Sequence, residues 1–334
     1  DGVSPIKIYR SASLKNIGAF VKMYFYFKKN KFDIVHTHTF VGSVLGILAA
    51  KLAGVPIRIN TVHGLYLNEN TTGLKRKVLI AIEKLVAKNT TFIFSQSAED
   101  ISMMTSEEIA PREKISYLGN GINIAKFSKR FSDEFIKNKK IELGINPNVR
   151  IVGIVARLVK EKGYLDLFEA IQIIRDDMDP LEDILLLSVG PEEPLKKDKI
   201  DINKDYGIPI KFLGERHDLD EIYPLMDVFV LPSWREGFPR SVIEAMVEER
   251  PIVVTDVRGC REEITNGVTG RVVPEKSPYW LANSIAFLLN YPKEAKDYGI
   301  NAREKAVKYF DERIVFGRIR DAYHELLSNL EKNN

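Results

Sequence analysis

The sequence predicts an α/β chain of two Rossmann-like domains, and two observations carry that expectation. Short β-branched runs alternate with longer helical patterns, the rhythm of parallel strands joined by crossover helices. The chain also has 334 residues, more than one hydrophobic core usually organises, and its rhythm restarts midway.

In the first half the strand-like runs are IKIYR (6–10), FDIVHTH (32–38), PIRINTVH (56–63) and TTFIFSQS (90–97), with helical patterns near 14–29, 41–53 and 73–88. LGNGIN (118–123) carries a turn signal, and the polar stretch KFSKRFSDEFIKNKK follows it. A linker is expected there. Residues 1–123 then form the first, incomplete domain and 124–147 the linker. Residues 148–308 form the second domain, and 309–334 a helix expected to return to the first.

The second half restarts with VRIVGIVA (149–156), DILLLSVG (183–190), IPIKFLG (208–214), DVFVLPS (227–233), PIVVTD (251–256) and GRVVP (270–274). Nearly continuous apolar strands are what a sheet buried on both faces requires. From Ser277 onward the chain reads as almost unbroken helix. No repeat of fixed period marks a solenoid.

Apolar residues make up 45% and charged residues 28%, a globular composition. Cys260 is the single cysteine, which excludes an intramolecular disulfide and a cysteine-rich metal cluster. A cytoplasmic location is expected. No apolar run reaches the roughly 18–20 residues of a spanning helix, and the first residues lack a signal-peptide pattern, so any membrane contact is expected to be peripheral. The net charge of +3 hides an asymmetry: residues 1–147 hold 22 Lys+Arg against 12 Asp+Glu, residues 148–334 hold 27 against 34. The halves are expected to meet different partners.

Two segments could carry chemistry. In VARLVKEKG (155–163) a buried strand ends and a loop presents Arg157 and Lys162 before a helix opens at Gly163. Ligands of open α/β sheets bind off the carboxyl ends of strands, and two fixed cations there suit a diphosphate. Alone, such a pair is more often a solvated loop. In WREGFPRSVIEA (234–245) another buried strand is followed by Glu236, Gly237 and Pro239, the last placed to be the first helical residue. Free amides at that helix start would make an anion site. Glu244, eight residues after Glu236, falls in the first turns and could accept hydrogen bonds from paired hydroxyls. Alone, two glutamates at this spacing say little.

Together with IKFLGER, YPLMDVFVLPSWREGFPRSVIEAM and PIVVTDVRGCREEITNGVTGRVVP, these segments resemble in order and spacing the donor domain of family-4 glycosyltransferases of the GT-B fold. The resemblance covers roughly residues 30–334. It implies two Rossmann-like domains facing across a cleft, transfer from a nucleotide-diphosphate sugar with retention of configuration, and no cofactor beyond that co-substrate. It places Glu236 on the donor sugar, Glu244 on the ribose, and Arg157 and Lys162 on the diphosphate, with Gly237, Phe238 and Arg240 completing the donor site. A His at the position of His63 stands beside the transferred sugar in that family, although a lone His at a strand end is more often structural. His36 and His38 are expected to be structural or on the acceptor side. The family's usual opening strand and glycine-rich loop lie before the region that matches here, so the first domain is expected to be incomplete or completed by something else.

Asp177/Asp179 and Asp218/Asp220 form Asp-x-Asp patterns, but neither directly follows a buried strand. Both read as solvated or capping carboxylates, and metal-independent transfer is expected. The helix near 14–29 mixes aromatics with Lys15, Lys22, Lys28 and Lys29. Most of that stripe reads as core, but it could also rest on an anionic bilayer at the inner membrane face. The acceptor is expected to be a glycan or lipid-linked glycan in cell-surface polysaccharide synthesis, with a UDP-sugar favoured as donor; no nucleic acid is expected. A non-hydrolysing nucleotide-sugar epimerase would need ring-facing carboxylates that the first half does not offer. A two-lobed solute-binding protein would normally carry a secretion signal. A dinucleotide oxidoreductase would need a strand–GxGxxG–helix unit, which is not found.

Overall fold

The computed structural model describes residues 5–9, 13–67, 71–178 and 184–332. The chain divides into two compact units, Asp1–Gly119 with Val315–Asn334, and Asn120–Ile314. Each is a parallel sheet with crossover helices.

In the first unit, helix α1 (Lys15–Asn30) leads to β1 (Ile34–His38), α2 (Phe40–Ala53), β2 (Ile57–Val62), α3 (Gly73–Asn89), β3 (Phe92–Ser95), α4 (Ala98–Ser106) and β4 (Ile115–Tyr117). The strands lie in the order β1-β2-β3-β4, all parallel. The register sets Ile34 opposite Ile57, so His38 stands opposite Thr61. Both β1 and β2 therefore end on the same edge. The C-terminal helix (Glu312–Lys332) packs Val315, Ile319, Tyr323, Leu326 and Leu330 on Ile57, Ile59, Phe94 and Leu118. Its apolar residues recur at three- and four-residue intervals, which puts them on one face.

Residues 6–9 of the run IKIYR form no strand and have no regular structure; Arg10 lies outside the described residues. The Asn16 side chain takes both main-chain groups of Tyr9, accepting from its N–H at 2.9 Å and donating to its carbonyl at 3.0 Å. One amide thus takes the place of a ladder partner.

The second unit opens with α5 (Asp133–Glu142), then β5 (Arg150–Val155), α6 (Tyr164–Asp177), β6 (Ile184–Val189), β7 (Ile210–Phe212), α7 (Leu219–Ile222), β8 (Val228–Leu231), α8 (Arg240–Val247), β9 (Ile252–Thr255), α9 (Cys260–Glu263), β10 (Arg271–Val273), α10 (Pro278–Asn290) and α11 (Pro292–Tyr309). The six strands are parallel in the order β10-β9-β8-β5-β6-β7. Apolar cores cover both faces of the sheet, which is why Ile151, Val152, Val228 to Val230 and Ile252 to Val254 are all fully buried. The chain runs outward from β5 through β6 and β7, then returns to lay β8, β9 and β10 on the other side. β5 and β8 thus flank the point where strand order reverses, the place where such sheets bind ligands.

The stretch 124–147 is not a linker. It belongs to the second unit, where Phe127 and Ile145 are buried in the core, and Ser132 caps α5 by accepting from the Phe135 amide. Two of its lysines are buried as well, Lys139 paired with Glu221 and Asp218 and Lys140 donating to the Pro147 and Val149 carbonyls. The helical C-terminus breaks at Tyr291 and again at Phe310 and Asp311.

Candidate functional site

In the second unit, the loops after β5 and β8 meet at the switch point. After β5 the chain turns through Gly163, whose φ of +74° and approach to the Pro232 carbonyl exclude a side chain: a Cβ there would stand 1.9 Å from that oxygen. The tight turn brings Lys162 Nζ within 2.5 Å of Glu236 Oε1, and the Ser233 hydroxyl donates to the same oxygen at 2.6 Å. Both side chains are largely buried, 15% and 9% exposed. Among the described residues nothing hydrogen-bonds Glu236 Oε2. Trp234 ties the loops together, its amide donating to the Glu161 carbonyl and its indole N–H to Asp166 at 2.6 Å.

Arg157 forks between Glu193 (3.0 Å) and Glu161 (3.1 Å). Partial burial works against its charge, but the bond it donates to Glu193 and the charge of Glu161 outweigh this and raise its pKa.

Helix α8 begins at Arg240, which is exposed, with Pro239 at the N-cap rather than in the first helical position. No side chain caps the helix, so its first amides keep the anion-binding character of a helix start. Gly237 is covered on one side by Gly259, where a Cβ would stand 2.2 Å from the Gly237 carbonyl oxygen. The Phe238 side chain is buried against Phe310, 5.5 Å between ring centroids. Only its backbone can meet a ligand, and its carbonyl already accepts from Asn120 at 2.9 Å. Glu244, one turn into α8, accepts from the Tyr223 hydroxyl at 2.8 Å. Burial raises the Glu244 pKa, and the Tyr223 bond and Arg240 pull against it.

In the first unit, three histidines gather at the ends of β1 and β2. His38 Nδ1 lies 2.9 Å from His63 Nε2. His36 stacks on His38 with centroids 4.5 Å apart, and is pinned by Tyr323 and Thr61, each at 2.7 Å. Burial first, then the neighbouring imidazoles, pushes the His36 pKa down to about 4. His38 is lowered by burial and by His63; His63 is lowered by burial, against a hydrogen bond with Gln96. His36 is therefore neutral near pH 7, and the shifts of His38 and His63 favour the neutral ring as well. The buried Asp100 accepts from the Leu65 amide at 3.0 Å and fixes the turn after His63.

Of the Asp-x-Asp residues, Asp177 ends α6 and Asp179 lies outside the described residues. Asp218 pairs with Arg216, which with Lys139 lowers its pKa to about 2, and Asp220 pairs with Lys129. Among the described residues no group of three or more His, Cys, Asp or Glu could hold a metal ion, and no helix is long and apolar enough to cross a membrane. On α1, Ile17, Val21 and Phe25 are exposed.

The four residues singled out in the sequence, Arg157, Lys162, Glu236 and Glu244, lie in the second unit on the loops and helix that follow β5 and β8. Sequence reasoning missed Ser233, Tyr223, Glu161 and Glu193, partners chosen by folding across 3 to 36 positions of sequence.

Comparison with known proteins fits this architecture. The family model described as glycosyl transferases group 1 matches residues 135–305, and one described as glycosyl transferase 4-like matches residues 2–97. The UDP-Gal:alpha-D-GlcNAc-diphosphoundecaprenol alpha-1,3-galactosyltransferase of Escherichia coli is 30% identical over 319 residues, covering 95% of this chain and 81% of its own length. A capsular polysaccharide biosynthesis glycosyltransferase of Staphylococcus aureus is 29% identical over 325 residues, covering 96% and 84%. Among solved structures, Anabaena HepE in complex with UDP and glucose superposes with a TM-score of 0.78 at 19% identity, over 95% of this chain and 84% of that one. Sucrose-phosphate synthase from Thermosynechococcus elongatus gives 0.79 at 22%, over 97% and 81%. With two parallel α/β units and these matches, the chain belongs to the glycosyl transferases group 1 family and has the GT-B fold.

Proposed function

We propose that the chain transfers a hexose or N-acetylhexosamine from a UDP-sugar to a lipid-linked glycan, with retention of configuration and without a metal, in cell-surface polysaccharide synthesis. The observation that carries this reading is the pairing of Lys162 with Glu236 across the loops after β5 and β8, just before the uncapped start of α8, with Arg157 on the same β5 loop as Lys162. The curated relatives named for galactosyl transfer to a diphosphoundecaprenol-linked sugar and for capsular polysaccharide synthesis support the donor and acceptor classes.

In this reading Arg157, Lys162 and the amides following Gly237 hold the diphosphate, with Arg240 at the helix start adding charge. Glu244 accepts from the ribose hydroxyls. Glu236 faces the transferred sugar. As the bond from the anomeric carbon to the phosphate oxygen breaks, negative charge grows on the leaving diphosphate. Fixed cations stabilise it without reorganising, the form of electrostatic catalysis worth most in a partly desolvated site. The departing phosphate takes the acceptor proton on the face it leaves, so the new bond forms there and configuration is retained. Peripheral contact of the lysine-bearing α1 with anionic lipid belongs to the same reading.

A thermal-shift panel of UDP-, GDP- and ADP-sugars tests it. A ligand at 100 times its Kd adds about 2.7 kcal/mol to apparent stability, so UDP-sugars should raise Tm by several degrees. No response to any of them, or a response equalled by inorganic phosphate, would remove the reading.

A further inference from the structure

Two donors of different kinds converge on one oxygen, Glu236 Oε1: the Lys162 ammonium at 2.5 Å and the Ser233 hydroxyl at 2.6 Å. The ammonium stands on a flexible four-carbon stem, whereas the hydroxyl is fixed in place. Ser233 is fully buried, and the backbone around it is tied to three other segments. The preceding carbonyl, of Pro232, lies so close to Gly163 that a Cβ there would stand 1.9 Å from its oxygen. The Ser233 carbonyl accepts from the hydroxyl of Thr255, itself buried at the end of β9. The following amide, of Trp234, donates to the Glu161 carbonyl at 2.9 Å. A serine hydroxyl has one hydrogen to give, and here it is committed to Glu236. Among the described residues no third donor hydrogen-bonds that carboxylate.

The Glu236 side chain is only 9% exposed, so little water is at hand to replace a donor that turns away. In the functional reading above, on which this step rests, that donor is Lys162, drawn toward the diphosphate. A buried carboxylate resists losing a partner, and the more it depends on Lys162, the more it opposes the diphosphate. We propose that Ser233 is a positioning residue for donor binding: its hydroxyl holds Glu236 while Lys162 turns to the diphosphate, and so sets how strongly Glu236 competes for that ammonium. Being fully buried, Ser233 meets no donor atom itself. It raises donor affinity through a carboxylate, unlike Lys162 and Arg157, which act on the diphosphate directly. With Oε1 held by Ser233, Oε2 stays available to a hydroxyl of the donor sugar.

This role predicts coupling between two positions. Loss of the hydroxyl should weaken UDP binding only while residue 236 carries a charge. UDP is titrated by calorimetry into wild type, Ser233→Ala, Glu236→Gln and the double variant Ser233→Ala/Glu236→Gln. Ser233→Ala should bind UDP about fivefold more weakly than wild type, because Glu236 then depends on Lys162 alone. Added to Glu236→Gln, the same substitution should change UDP affinity by less than about twofold, since a neutral amide has no comparable hold on the ammonium. A serine that merely supports the loop would be missed equally in both backgrounds, so equal losses in the two would overturn the proposal. Undiminished UDP binding by Ser233→Ala would overturn it too. Failure of wild type to bind UDP would instead remove the functional reading.

Discussion

The ammonium of Lys162 and the carboxylate of Glu236 form a 2.5 Å ion pair across 74 residues of sequence. The two residues read from the sequence as separate donor ligands are thus each other's partner before any donor binds. In the proposed reading a diphosphate shares Lys162 with Glu236, which keeps its bond from Ser233.

Lys162→Met should therefore do two things at once. It removes a phosphate-binding charge, weakening UDP binding tenfold or more. It also leaves a largely buried carboxylate with Ser233 alone, at a cost of roughly 1–3 kcal/mol. The double variant Lys162→Met/Glu236→Gln should recover the lost Tm but not the UDP affinity, read by scanning fluorimetry and calorimetry. Recovery of both together would mean that Lys162 acts only on Glu236.

Arg157 is also engaged, by Glu193 and Glu161. Glu193→Gln weakens that competition and should tighten UDP binding by about threefold, an effect that shrinks in high salt because screening acts on exposed charges first. Arg157→Ala should lose most activity. Weaker UDP binding by Glu193→Gln would show that Glu193 helps the donor site.

Much of this fold was legible, and the reasons for the rest are local. The strands of the second unit stood out because burial on both faces demands apolar runs such as Val228 to Leu231. β4 escaped because three residues, Ile115 to Tyr117, show no period. IKIYR has the composition of a strand, but Asn16 takes up the main chain at Tyr9. The stretch 124–147 looked like a linker because Phe127 and Ile145 anchor many charged neighbours. Site loops showed as cations and glutamates after strands, whereas the pairs Tyr223–Glu244 and His38–His63 depend on register and packing that no local pattern records.

Buried carboxyls give the protein a pH signature. Burial raises the Glu248 pKa to about 8 and, with help from Asp100, the Glu83 pKa to about 7. Both are held neutral in the fold but ionise near the ordinary carboxyl value when unfolded. Their contribution is complete below that value and is lost as pH rises through 7 and 8, at up to about 1.4 kcal/mol per pH unit for each group. Tm should fall between pH 5 and pH 9, and Glu248→Gln should make the fall shallower. Equal slopes in the two proteins would contradict the assignment.

If Arg157 and Lys162 supply the positive charge for the leaving group, transfer should survive excess EDTA. Restoration of chelator-abolished activity by Mg²⁺ would show that an ion shares the task.

The measurement that bears most directly on the account is calorimetric titration of UDP into wild type, Glu244→Gln and Glu236→Gln. Glu244, held by Tyr223 on α8, is assigned to the ribose, which UDP contains; Glu236 is assigned to the sugar, which UDP lacks. A hydrogen bond to a charged group contributes roughly 1.5–3 kcal/mol, so Glu244→Gln should bind UDP tenfold or more weakly. Glu236→Gln should bind it nearly as wild type does and lose turnover instead. Equal losses in the two variants would contradict the division of roles, and undiminished binding in both would place the donor elsewhere.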